Sequence, residues 1–149
     1  MRRNILLGIT PTLVIGLALA LGASSGASPA VAAAGCSNHS LHGSYGAAIS
    51  GSIFNNGSEV ADLAGAGQLT FDGEGKLVGT ETDSTNGQIS SVTITGTYTV
   101  NVDCTGTATL VNSNGRTDHV NIVLVDNGRQ FAFVDTDPGV VLAGTDTKQ

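Results

Sequence analysis

The chain has 149 residues, of which 12% are charged, 21 are glycine and none is tryptophan, and its formal net charge is −6. That length bounds it to one domain with a modest core. The surplus of acid makes nucleic acid and anionic membrane surfaces unsuitable partners, because both recruit positive charge to displace their counterions.

Arg2 and Arg3 precede a run from Ile5 to Leu21 without a charged side chain, the layout of an export signal. Small residues fill Gly22 to Ala34. Both Ala30-Val31-Ala32 and Ala32-Ala33-Ala34 offer a signal peptidase the small side chains it reads. Residues 1–34 are therefore expected to be a signal peptide with its cleavage region, cut near Ala32 or Ala34, and residues 35–149 a single β-barrel domain. A spanning helix needs about 20 apolar residues, and Gly8, Pro11 and Gly16 interrupt this shorter run, so no stable membrane span is expected after cleavage. One alternative to secretion is a lipoprotein anchored through Cys36, which follows Gly35 as lipid attachment requires. The apolar core stops well short of that cysteine, whereas a lipobox abuts it. The Arg2-Arg3 pair also fits twin-arginine export, but no cofactor that must be loaded before export is expected.

Without the leader, Lys76, Arg116, Arg129 and Lys148 face twelve acidic side chains, a net charge of −8. Two cysteines remain, Cys36 and Cys104. An exported chain meets an oxidising compartment, so the pair is expected to form a disulfide. Closing that loop is worth about 4 kcal/mol in the chain-entropy model.

Beyond Cys36, short β-rich runs alternate with Gly/Asn/Asp clusters, and no helical period persists. The first strand spans Ser44 to Ile53, with Tyr45, Ala47, Ile49, Gly51 and Ile53 on one face. The second runs from Ala61 to Phe71, and Asp72-Gly73-Glu74-Gly75 turns it into the third, Lys76 to Asp83. Asn86-Gly87 leads into the longest strand, Ile89 to Val102, where Val92, Ile94, Gly96, Tyr98, Val100 and Val102 share one face and threonines the other. One side of it meets a core and one meets water. Four more follow: Thr105 to Val111, Asp118 to Val125, Gln130 to Val134 and Val140 to Gly144, the sixth and seventh joined by an Asp126-Asn127-Gly128 hairpin. Eight strands in series predict an all-β fold, an antiparallel, eight-stranded, up-and-down barrel. A β-sandwich is the alternative, since periodicity reports strands and not their closure. Glycines inside the strands (46, 51, 65, 67, 79, 96 and 106) mark bends of the kind a coiled barrel needs.

Two segments carry a resemblance. Cys36-Ser37-Asn38-His39-Ser40-Leu41-His42-Gly43-Ser44-Tyr45 and Gly96-Thr97-Tyr98-Thr99-Val100-Asn101-Val102-Asp103-Cys104-Thr105-Gly106-Thr107 resemble a group of small secreted bacterial β-barrel proteins. The resemblance implies a barrel akin to the calycins or to the allene oxide cyclase and dirigent barrels. It supports the pairing of Cys36 with Cys104 and carries over no catalytic residue.

Candidate chemistry is sparse. His39 and His42 precede a strand, where i and i+3 point to opposite faces, so they are expected to be solvated loop residues and not metal ligands. His119 is expected on a wet strand face. Asp135, Asp137 and Asp146 offer clustered oxygens of the kind calcium favours, but turn chemistry alone explains Asp137-Pro138-Gly139, and no metal is expected. No Gly-x-Ser-x-Gly or free cysteine supports nucleophilic catalysis, so no catalytic residue is assigned. The leading reading is a secreted or surface-associated, non-catalytic barrel with a small apolar ligand in a lumen lined by Tyr45, Ile49, Glu81, Tyr98, Phe131 and Phe133. One alternative is an isomerase or cyclase on an allene oxide cyclase-like barrel. The other is a structural or adhesive protein whose Thr93, Thr95, Thr97, Thr99, Thr105, Thr107 and Thr109 cover a sheet face. Within the lumen Glu81 is the carboxyl to inspect, unless its strand is an edge with both faces wet.

Overall fold

Period-two alternation carries the chain through β1 (His42–Asn55), β2 (Ser58–Asp72), β3 (Lys76–Thr85), β4 (Gln88–Val100), β5 (Thr105–Asn112), β6 (Thr117–Val125), β7 (Gln130–Asp135) and β8 (Val140–Lys148). In the computed structural model, which describes residues 35–149, each strand pairs antiparallel with the next and β8 returns to β1, closing the barrel. The sandwich alternative is thereby excluded. The export-signal reading lies outside the described residues.

Inward positions alternate with outward ones along every strand. β6 is the cleanest case: Asp118, Val120, Ile122 and Leu124 are buried while His119, Asn121, Val123 and Val125 are exposed. Glycine occupies the inward position where neighbouring strands cross closely. A Cβ at Gly67 would overlap the Thr80 carbonyl oxygen, and one at Gly144 the Ala48 carbonyl oxygen. Gly51, Gly79, Gly96 and Gly106 likewise face a carbonyl oxygen of the adjoining strand, whereas Gly65 faces the Asp83 side chain and Gly46 that of Gln149.

Several boundaries differ from the sequence expectation. Val102 is not on the inward face of β4; it is 76% exposed. The strand ends at Val100 because Asn101 donates its N–H to the Thr105 carbonyl at 2.8 Å, and Cys104 takes a left-handed φ of 67°. β8 runs on past Gly144 to Lys148, held by pairing to both β1 and β7. Asp126–Gly128, the expected hairpin between β6 and β7, forms a 3-10 turn with positive φ at all three residues.

One end of the barrel is plugged by the segment before β1. Leu41 is wholly buried there. Tyr98 donates its hydroxyl to the Leu41 carbonyl at 2.9 Å, Val100 donates its N–H to Asn38 Oδ1 at 2.8 Å, and Cys36 donates its N–H to the Val102 carbonyl at 3.2 Å. Tyr45 donates its hydroxyl to the Gly128 carbonyl at 2.6 Å. Below the plug, Phe71 packs edge-on against Tyr45, Tyr98 and Phe131 at centroid distances of 5.3, 5.1 and 5.5 Å. Such aromatic pairs add about 0.5–1.5 kcal/mol each beyond their burial.

The Cys36–Cys104 disulfide ties this plug to the β4–β5 turn, with Cα atoms 5.0 Å apart, inside the range such a bond permits. A sulfur held in this bond cannot also carry a lipid thioether. Cys104→Ser should cost about 2–5 kcal/mol and lower the melting temperature by roughly ten degrees or more, as read by circular dichroism. A mutant that melts with wild type would show that the hydrogen bonds alone hold the plug.

Candidate functional site

The inward side chains divide the lumen into zones. Aromatic rings fill the plugged end, aliphatic groups the middle, and polar groups the far end. Register places the middle layer. Asp146 on β8 lies opposite Ala47 on β1, Ala47 opposite Gly67 on β2, and Gly67 opposite Glu81 on β3. Two carboxyl residues are thus separated by the two smallest inward side chains available. Phe131 flanks Asp146 on its other side, from β7.

A cavity of about 40 Å³ occupies this layer, walled by Ile49, Leu69, Ile94, Ile122, Phe131 and Phe133, with Glu81 and Asp146 as its polar groups. A second cavity of about 40 Å³ adjoins it toward the far end, sharing Ile49, Glu81, Ile94 and Phe133 and adding Asp83, Arg116, Asp118 and Asp135. A water needs roughly 10–15 Å³ by this measure, so each space admits about three water-sized groups.

The lumen is acidic. Glu81, Asp83, Asp118, Asp135 and Asp146 all line it, and Arg116 is the one basic side chain that does so among the described residues. Arg116 Nε donates to Asp118 Oδ1 at 2.5 Å, and Asn112 Nδ2 donates to Asp118 Oδ2 at 2.7 Å. Asp146 is 0% exposed, and neither of its oxygens has a protein partner. Asp83 Oδ1 and Asp135 Oδ2 are also buried without one. Burial pushes the Asp146 carboxyl up to about 7. Burial, a hydrogen bond with Asp83 and the nearby Asp83 and Asp146 charges push Glu81 up to about 8. Burial likewise raises Asp135.

The sequence-predicted lumen residues separate by role. Ile49, Glu81, Phe131 and Phe133 border the cavity. Tyr45 and Tyr98 do not border it; they pack against Phe71, which does, and their hydroxyls turn away to backbone carbonyls at the plug. β3 pairs on both sides and is no edge, which turns Glu81 inward. The Asp135, Asp137 and Asp146 grouping does not form. Asp146 faces the cavity, while Asp135 and Asp137 meet Asp118, with ligand oxygens all within 4.8 Å of one another. Local partners engage that cluster. Asp137 Oδ2 accepts the His119 N–H at 2.9 Å, Asp137 Oδ1 pairs with His119 Nδ1 at 2.8 Å, and Asp135 Oδ1 accepts the Asp137 N–H at 2.7 Å. His119 stays 55% exposed beside Asp137. His39 and His42 are exposed but not opposed: a 3-10 turn at Asn38–Ser40 brings both rings beside Gly73.

Sequence reasoning missed Asp83, Asp118, Asp135 and Asp146 as lumen groups. The available signal was the alternation itself, since Leu142, Gly144 and Asp146 keep one parity, as do Asp118, Val120 and Ile122.

No family model matches the chain, and no curated protein does. Among solved structures it is similar to redesigned and de novo β-barrels. A redesigned barrel, mFAP1, bound to DFHBI, matches with a TM-score of 0.54 at 21% identity, over 74% of this chain and 97% of that one. The redesigned barrel b11L5F_LGL matches with a TM-score of 0.54 at 19% identity, over 75% and 94%. A de novo designed fluorescence-activating β-barrel matches with a TM-score of 0.53 at 10% identity, over 75% and 96%. At these identities the likeness establishes the closed eight-stranded barrel.

The raised carboxyls set how stability depends on pH. A folded state that keeps protons on Asp146 and Glu81 binds more protons than the unfolded chain, so stability falls as pH rises from about 4 to about 8. The Asp146 share is on the order of 4 kcal/mol. Asp72, Asp103 and Asp137, held low by hydrogen bonds to their carboxylates, act with the opposite sign below that window. Melting temperature should therefore drop between pH 5 and pH 9, and Asp146→Asn should flatten much of the drop. A flat wild-type profile would contradict burial as the controlling cause.

Proposed function

We propose that the chain is an exported, non-catalytic barrel whose lumen takes a small, largely apolar ligand. The observation that carries this reading is the cavity in the middle layer, aliphatic and aromatic around most of its wall, with two carboxyl groups bordering it. A few placed polar groups in an apolar hollow are the usual make-up of a small-molecule site. The bridge between Cys36 and Cys104 is compatible with an oxidising compartment, which supports export. A barrel of the same architecture is described bound to DFHBI, which supports ligand binding by a barrel of this fold. At about 40 Å³ the cavity calls for a ligand of only a few heavy atoms.

Glu81 at the cavity is what favours a cyclase or isomerase on a calycin-like or allene oxide cyclase-like barrel. Tyr45 and Tyr98 speak for the non-catalytic reading, because their hydroxyls are committed to backbone carbonyls. A structural or adhesive role draws on the threonine pairs Thr80–Thr93, Thr97–Thr109 and Thr99–Thr107, which stand opposite one another across β3, β4 and β5. That face belongs to a closed, twisted barrel, a poor match for a flat surface.

Xenon is a suitable probe, being apolar and small. Under xenon pressure the methyl NMR signals of Ile49, Ile94 and Ile122 should shift while those of the exposed Val111 and Val123 stay. Ala108→Leu, which fills the wall, should reduce the response. Shifts confined to outward methyls would overturn the lumen as a ligand site.

A further inference from the structure

We propose that the lumen ligand is a small alkylammonium, its charged nitrogen seated between Asp146 and Glu81 and its short carbon chain against Phe131 and Phe133. This rests on the reading of the lumen as a ligand site and names the chemistry that fits it.

The first support is the orphaned acceptors. Asp146 is wholly buried with both oxygens unpartnered. Buried polar atoms in folded proteins are almost always hydrogen-bonded, and a primary ammonium brings three donors and no acceptor. Charge is the second. Five carboxyl residues line the two adjoining cavities, and Arg116 is already engaged by Asp118. A carboxylate in such surroundings needs a counter-charge or a proton.

Shape is the third support. Ala47 and Gly67 stand between Asp146 and Glu81 in register, so β1 and β2 add little bulk at that level, and both carboxyls border one cavity. Phe131 and Phe133 border the cavity, and aromatic rings attract cations within about 6 Å. The volume of about 40 Å³ accommodates about three or four heavy atoms by the water comparison, the size of propylammonium.

The carboxyls supply the exchange partner, a proton. Burial holds Asp146 and Glu81 protonated well above the ordinary carboxylate range, so an ammonium must displace protons to form its ion pairs. The charged groups that face them are Asp83 on β3, Arg116 from the β5–β6 turn, Asp118 on β6 and Asp135 on β7. β1, β2, β4 and β5 turn only apolar residues or glycine to the middle cavity. Affinity should therefore rise with pH until the carboxyls are ionised, while the amine itself remains charged to about pH 10.

The test titrates the disulfide-intact protein with propylammonium chloride, against potassium chloride at equal concentration, following the Ile49, Ile94 and Ile122 methyls and the heat of binding in two buffers. Expected are propylammonium-specific shifts, proton release, and affinity at least tenfold tighter at pH 8.5 than at pH 6. Asp146→Asn should abolish binding with a dispersed amide spectrum retained, and Glu81→Gln should weaken it if the first variant does not fold. Equal shifts with potassium, or an Asp146→Asn or Glu81→Gln protein that binds as tightly as wild type, would overturn the proposal. Xenon uptake without a propylammonium response would overturn the ligand class and leave the lumen site standing. Failure of both probes would remove both.

Discussion

The fold depends on close backbone crossings at inward strand positions that have no side chain. At Gly67 a Cβ would overlap the carbonyl of Thr80 on β3, and at Gly144 the carbonyl of Ala48 on β1. Strands can bend sharply inward only where nothing projects from them, and a barrel of eight strands needs such corners to coil shut. The same absence shapes the interior. Gly67 with Ala47 leaves the layer between Asp146 and Glu81 open, and Gly144 leaves room for the Phe133 ring, whose edge atoms would meet a Cβ there. Closure of the sheet and the presence of a cavity have one cause.

The two ends of the barrel answer different needs. At the plugged end the barrel wall satisfies the polar groups of the 36–41 segment that matter to packing. Tyr98 and Val100 reach Leu41 and Asn38, and the disulfide ties the segment to the β4–β5 turn. Leu41 and the aromatic cluster make that end dry. At the far end Arg116, Asn112 and His119 compensate Asp118 and Asp137 near the surface. Between them lies a layer where burial is nearly complete and compensation stops. Asp146 there costs stability at neutral pH, which a structural core would avoid with an aliphatic residue of similar size.

Much of the fold was legible in the sequence because strand alternation and turn chemistry are local. Asp72-Gly73 and Asn86-Gly87 punctuate strands whose parity needs no tertiary information. The disulfide followed from two cysteines in a chain read as exported. What was hidden depended on pairing. Val102 continues the parity of β4, yet the turn at Asn101 and the N-terminal segment's claim on the Val102 carbonyl end the strand first. Thr145-Asp146-Thr147-Lys148 has the composition of a wet terminus, and only pairing on both sides makes Asp146 an interior residue. Parity assigned Ile49 and Glu81 to inward faces, whereas the inward turn of Asp83, Asp118 and Asp135 was concealed by their position beside turns, where acids are ordinary.

A ligand site in the lumen requires a middle layer dry enough to hold uncompensated carboxyls in their neutral form beside an open cavity. Carbon-13 NMR of the aspartate and glutamate side-chain carboxyls, followed through a pH titration, reads this directly and residue by residue. Asp146 should titrate at about 7 and Glu81 at about 8, each moved back toward ordinary values when the other is replaced by its amide only to the extent that they sense each other's charge. Titration of both groups near the ordinary carboxylate value of about 4 would mean that water or a fixed counter-charge reaches the layer, and would contradict the dry lumen on which the functional reading rests.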